Sequence, residues 1–170
     1  MEFSDVIKNR YSCKKFSSEQ IGKDKLDAIL EAGRVAPTAK NLQEQHIYVV
    51  QSESALETID KLTPCRYNAP TVLIVAFNKN NVFTYPGDKR NSGIEDATIV
   101  ATHLMLAAYN EGVDSCWINF FNPDELAKAF NLPEDEEVLM LLDLGTAAKE
   151  AAPLPNHNSR KELTDTVSYI

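Results

Sequence analysis

A chain of 170 residues, 44% hydrophobic and 25% charged with 6 Gly and 8 Pro, is long enough for one domain with a sizeable core and has no disordered or linker-like tract. Its net charge of −8 excludes a general binder of nucleic acid or anionic membranes, so any bound phosphate needs a local basic pocket. The opening MEFSDVIKNR carries charges where a secretory leader needs an apolar run, and no stretch reaches the ~20 apolar residues of a membrane span, which predicts a cytoplasmic protein.

A short first helix should stop within NRYSCKKF, residues 9 to 16, where Arg10, Lys14 and Lys15 gather in an otherwise acidic chain. One account is a solvated helix end, where cations interact favourably with the macrodipole. Another is that Arg10, Ser12 and Lys14 alternate, so that in extended chain a guanidinium, a hydroxyl and an ammonium share one side and form an anion-binding edge.

In KDKLDAILEAGRVAP, Leu26, Ile29, Leu30 and Gly33 recur at helical spacing and Pro37 ends the pattern. The loop APTAKNLQ, residues 36 to 43, consists of small and amide side chains, either as an ordinary helix-ending loop or as a place where backbone approaches a flat ligand. HIYVVQ and TVLIVAF then read as strands around the helical ESALETIDKL. Arg66, before YNAP, is expected in a surface salt bridge, and Phe83 and Tyr85 sit in a polar loop from Asn78 to Gly93.

IEDATIVATHLMLAAYNEG is apolar on nearly every face, which predicts a helix buried on several sides, in the core or against another subunit. VDSCWIN is a third strand, with Trp117 filling the core. Asn122 and Pro123 are the N-cap and first position of a helix over DELAKAFNL, and EVLMLLDLG is a fourth strand. From Thr146 the tail reads as loop, carries Arg160 and Lys161 as a mobile basic end or a site component, and closes on a short extended segment. Helices alternating with strands indicate an α+β or α/β layered domain over residues 1–170, with neither a P-loop nor a Rossmann fingerprint. Cys13, Cys65 and Cys116, like the three histidines, show no ligand spacing, so neither a disulfide framework nor a metal site is expected.

In this order the pieces resemble the nitroreductase family of FMN-dependent NAD(P)H oxidoreductases: Arg10, Ser12, Lys14 and Phe16, the loop Ala36 to Gln43, YNAPTVLIV, the long helix, SCWINFF and the closing Arg160 and Lys161. The resemblance implies an α+β fold around a mixed sheet, with the long helix at the interface of a homodimer. It also implies FMN sites at that interface and ping-pong hydride transfer from NADH or NADPH to a small-molecule acceptor such as a nitroaromatic or quinone.

By the same resemblance, Arg10, Tyr11 and Ser12 hold the ribityl phosphate and chain, and Arg160 and Lys161 complete the phosphate clamp. Lys14 lies at the pyrimidine edge and tunes the flavin. Pro37, Thr38, Ala39, Asn41 and Gln43 belong to a loop supplied by the other subunit, and Ile118 and Asn119 occupy a segment whose backbone faces the reactive edge. Asn119 departs from the small residue usual there. The chemistry is centred on the flavin, with no catalytic side chain. A flavin carrier or regulatory protein without turnover, and a specialised ene-type reductase, are the alternative readings.

Overall fold

The computed structural model describes residues 1–170. After a seven-residue helix α1 (Phe3–Asn9), α2 spans Lys23–Arg34 and buries Leu26, Ile29 and Gly33, one stripe of an amphipathic helix. It ends three residues before Pro37, in keeping with the expected stop. β1 (Gln45–Val50), α3 (Glu53–Leu62) and β2 (Thr71–Asn78) follow, then α4 (Gly93–Asn110), β3 (Asp114–Ile118), α5 (Pro123–Ala129) and β4 (Glu136–Gly145). The cap of α5 is the predicted one: the Asn122 side chain accepts from the backbone N–H groups of Asp124 and Glu125 at 3.1 and 3.3 Å.

The strands form one sheet in the order β1-β2-β4-β3, and every neighbouring pair is antiparallel. The class is α+β, as the resemblance implied, but the mixed character of the sheet is confined to one parallel bridge, Ser12 to Ser115, outside the four strands. The central strands β2 and β4 are covered on both sides, which explains their unbroken apolar runs. Leu73, Val75, Phe77, Met140, Leu142 and Leu144 face α2 and α4, whereas Val72, Ile74, Ala76 and Leu141 face Ile59 of α3 and Leu126 of α5. The result is three layers, helix pair on sheet on helix pair.

On α4, Ala97, Val100, Ala101, Leu104 and Ala108 are buried against the body, while Ile94 and Ile99 remain exposed. The tail corrects one expectation. No strand closes the chain; Leu163–Asp165 form a 3-10 turn and residues 158–170 are exposed. Val167, Tyr169 and Ile170 have strand-forming side chains, but no strand of this chain pairs with them.

Candidate active site

The chain leaves α1 at Arg10 and continues extended beside β3, with the Cys13 N–H donating to the Ser115 carbonyl at 2.9 Å. Cys13 and Phe16 turn into the core, while Ser12 and Lys14 stay exposed and Arg10 is half-buried. An exposed edge of guanidinium, hydroxyl and ammonium therefore follows from the alternation. The Lys14 ammonium lies 5.8 Å from the centre of the Tyr67 ring, and Lys15 pairs with Glu150 at 3.0 Å.

The tail returns to this edge. The His157 ring meets Tyr11 edge-on, with centres 6.4 Å apart, which brings the turn bearing Arg160 and Lys161 to the same end of the molecule. Arg160 curls back on that turn, one Nη donating to the carbonyls of His157 and Ser159 at 2.5 and 2.7 Å. Burial first, and the neighbouring Asp114 second, push the Tyr11 hydroxyl up to about 12, so it remains a neutral donor at physiological pH.

The loop after α2 is held in an unusual shape. Lys40, Asn41 and Gln43 all adopt left-handed backbone, at φ 52°, 55° and 57°, a region that side chains other than Gly enter seldom. Thr38 Oγ1 accepts from the Gln43 N–H at 3.1 Å, and the Gln43 amide donates to the Asn41 carbonyl at 3.2 Å. The Ala39 N–H donates to Asp96 in the first turn of α4 at 2.8 Å. Asp96 and its partner Ser92 escaped the sequence reading, because the adjacent Glu95 and Asp96 read as acids favoured in the first turn of a helix. Pro37 and Asn41 are exposed, and Thr38 and Ala39 are half-buried.

These two groups of residues are not together within one chain. Residues 10–14 lie along β3, at one edge of the sheet, and the 37–43 loop leads into β1, at the other. Three interstrand spacings, about 14 Å, separate β1 from β3.

At the end of β3, Ile118 is buried toward α3 and α5, and Asn119 is exposed. Trp117, expected to fill the core, is half-buried and packs against its margin on the α2/α4 side, and its Nε1–H donates to Asn119 Oδ1 at 2.8 Å. An indole can only donate, so the Asn119 oxygen faces Trp117 and its NH2 group faces away. Arg66 is structural: it donates to both Asp60 oxygens and to the Ala69 carbonyl. Phe83 and Tyr85 pack against each other within their own loop, with ring centres 5.3 Å apart and planes tilted by 56°.

Asp143 of β4 is fully buried with both carboxyl oxygens unpartnered, and burial pushes its pKa up to about 9. Cys116 is its cross-strand neighbour, and that thiol is pushed up to about 12, by burial first and by Asp143 second. Burial also raises the Cys13 thiol. Both stay protonated and inert.

The chain is a three-layer α+β domain with an exposed cationic edge and a loop of small and amide residues in left-handed backbone. The model of the nitroreductase family matches residues 7–65 and 64–146, and the chain belongs to that family. A nitroreductase family protein from Clostridium difficile 630 is 34% identical, with a TM-score of 0.92 over 99% of this chain and 98% of that one. The Bacillus subtilis protein named "Putative NAD(P)H nitroreductase YodC" is 28% identical in an alignment 202 positions long, gaps included, that covers 96% of each chain. The same fold, at TM-score 0.87 and 20% identity over 100% of this chain and 98% of that one, occurs in a "putative nitroreductase in complex with FMN" from Exiguobacterium sibiricum 255-15.

Proposed function

We propose that this protein is an FMN-dependent oxidoreductase that works as a homodimer, taking hydride from NADH or NADPH and delivering it to a nitroaromatic, quinone or comparably activated acceptor. The observation that carries the reading is the pair of complementary half-sites at opposite edges of one sheet. A two-fold dimer lets the cationic edge of one copy face the 37–43 loop of the other and forms two equivalent sites.

The donor set fits FMN. Arg10 offers a planar fork and Ser12 a hydroxyl to a phosphate, with Arg160 and Lys161 on a turn docked at the same end. The exposed Pro37 and Asn41 and the half-buried Thr38 and Ala39 leave little side-chain bulk in the way of a planar ring, and Gln43 braces the loop from behind. Bound FMN supplies the hydride chemistry, which accounts for a site built without a nucleophile or an acid–base pair. With FMN bound, Lys14 would offer a cation to the flavin edge, and the backbone at Ile118 together with the exposed Asn119 would border the reacting side.

One open site serves donor and acceptor in turn, which makes ping-pong kinetics the expected pattern. The test is consumption of NADH or NADPH by FMN-loaded protein with and without a nitroaromatic or quinone. Acceptor-dependent turnover supports the reading, and tight FMN binding without turnover would leave a flavin carrier.

A further inference from the structure

We propose that Asp96 is a positioning residue that locks the 37–43 loop and the Phe83 loop into one unit, so that neither can change shape without the other. Asp96 is buried near the start of α4, and both of its oxygens are used. One accepts from the Ala39 N–H at 2.8 Å and the other from the Ser92 hydroxyl at 2.7 Å. Ser92, also buried, passes the link on. Its Oγ accepts from the Phe83 N–H at 3.2 Å, and its own N–H donates to the Phe83 carbonyl at 2.9 Å.

A second contact closes the circuit, with the Lys40 ammonium 4.8 Å from the centre of the Phe83 ring. The 37–43 loop has particular need of such a tie. Three of its residues sit in left-handed backbone without being Gly, a state that persists only where the surroundings over-determine it. Asp96 holds the loop at Ala39, immediately before the first of them. A ligand or substitution that moves Phe83 therefore acts on the loop through Ser92 and Asp96. The functional consequence rests on the reading that the 37–43 loop borders the flavin: the Phe83 loop then helps to set the flavin site.

The test is hydrogen exchange by mass spectrometry on the purified protein and its Asp96→Ala, Asp96→Asn and Ser92→Ala variants, with FMN affinity measured separately. In Asp96→Ala, exchange should quicken about tenfold in both segments, 38–43 and 80–91. Ser92→Ala should quicken 80–91 to a similar degree and 38–43 much less. Asp96→Asn, which keeps an acceptor for Ala39, should preserve protection of 38–43. Wild-type exchange at 38–43 in Asp96→Ala would overturn the proposal. If that variant fails to fold, unchanged exchange at 80–91 in Ser92→Ala does so. Quickened exchange with unaltered FMN affinity would keep the lock and reject only the assignment of the loop to the flavin.

Discussion

Lys14 separates a cation that tunes a cofactor from one that is merely solvated. Its ammonium is exposed and approaches only the Tyr67 ring, so it remains available to a neighbouring anion. Negative charge grows on the pyrimidine edge of a flavin on reduction, and a cation there favours the reduced form. A charge-assisted contact of about 1.5–3 kcal/mol, at ~30 mV per ~1.4 kcal/mol for two electrons, predicts that Lys14→Met lowers the midpoint potential by tens of millivolts. Spectroelectrochemical titration checks this, and an unchanged potential would remove Lys14 from the site. Asp143 makes a different prediction. Its folded carboxyl holds a proton up to about pH 9, whereas in the unfolded chain it titrates near 3.8. Between those values the folded state binds one more proton, so this group's contribution to stability is fully present below 3.8 and is lost as pH rises toward 9. The slope is on the order of 1.4 kcal/mol per pH unit. Asp143→Asn should flatten the fall in urea-derived stability from pH 5 to 8.5, and parallel profiles would contradict the assignment. Asp143 was not visible as a buried carboxyl in the sequence, because its neighbours Val72 and Cys116 come from other strands, whereas Asp96 reads as an ordinary first-turn acid of α4.

Most elements were legible because their periodicities are set by burial. The helical stripe of α2, the apolar runs of β2 and β4 and the Asn122 cap each follow from local chemistry. The tail was misread for a physical reason: strand propensity in Val167, Tyr169 and Ile170 has no effect without a strand to pair with. Close approaches between elements were equally hidden. A Cβ on Gly93, at the start of α4, would lie 2.2 Å from Cε2 of the buried Phe77, sixteen residues earlier in the chain. Gly93→Ala must displace the ring or the helix, and a loss of about 1–3 kcal/mol is expected. Thermal unfolding should show a clear drop in Tm, and an unchanged Tm would mean that the ring yields freely.

For the whole molecule, the resemblance implied a site shared between two subunits, and the structure adds that the two groups of candidate residues lie at opposite edges of one chain's sheet. That division makes the dimer part of the functional account. Met1, Phe3 and Ile7 of the N-terminal segment and Ile94 and Ile99 of α4 are apolar and exposed, the kind of surface the proposed dimer needs. A groove of about 390 Å³ runs between α1 and α4, lined in part by Phe3, Val6 and Leu106. Complementation reads out the shared site. Arg10→Ala disables one half and Pro37→Trp, at an exposed position, obstructs the other. Mixing the two variants after subunit exchange should restore about a quarter of the sites, since half of the dimers are mixed and each of those holds one intact site. Absence of any recovery between exchanging subunits would place both halves in one chain.

The central claim is that this chain binds FMN and reduces it with a nicotinamide. The direct measurement is the visible spectrum of the purified protein, supplemented with FMN, then titrated anaerobically with NADH and with NADPH and finally given a nitroaromatic or quinone. The protein should be yellow, lose its colour on addition of at least one nicotinamide and regain it with the acceptor. A protein that stays colourless after incubation with excess FMN, or whose bound flavin neither nicotinamide reduces, would contradict that claim.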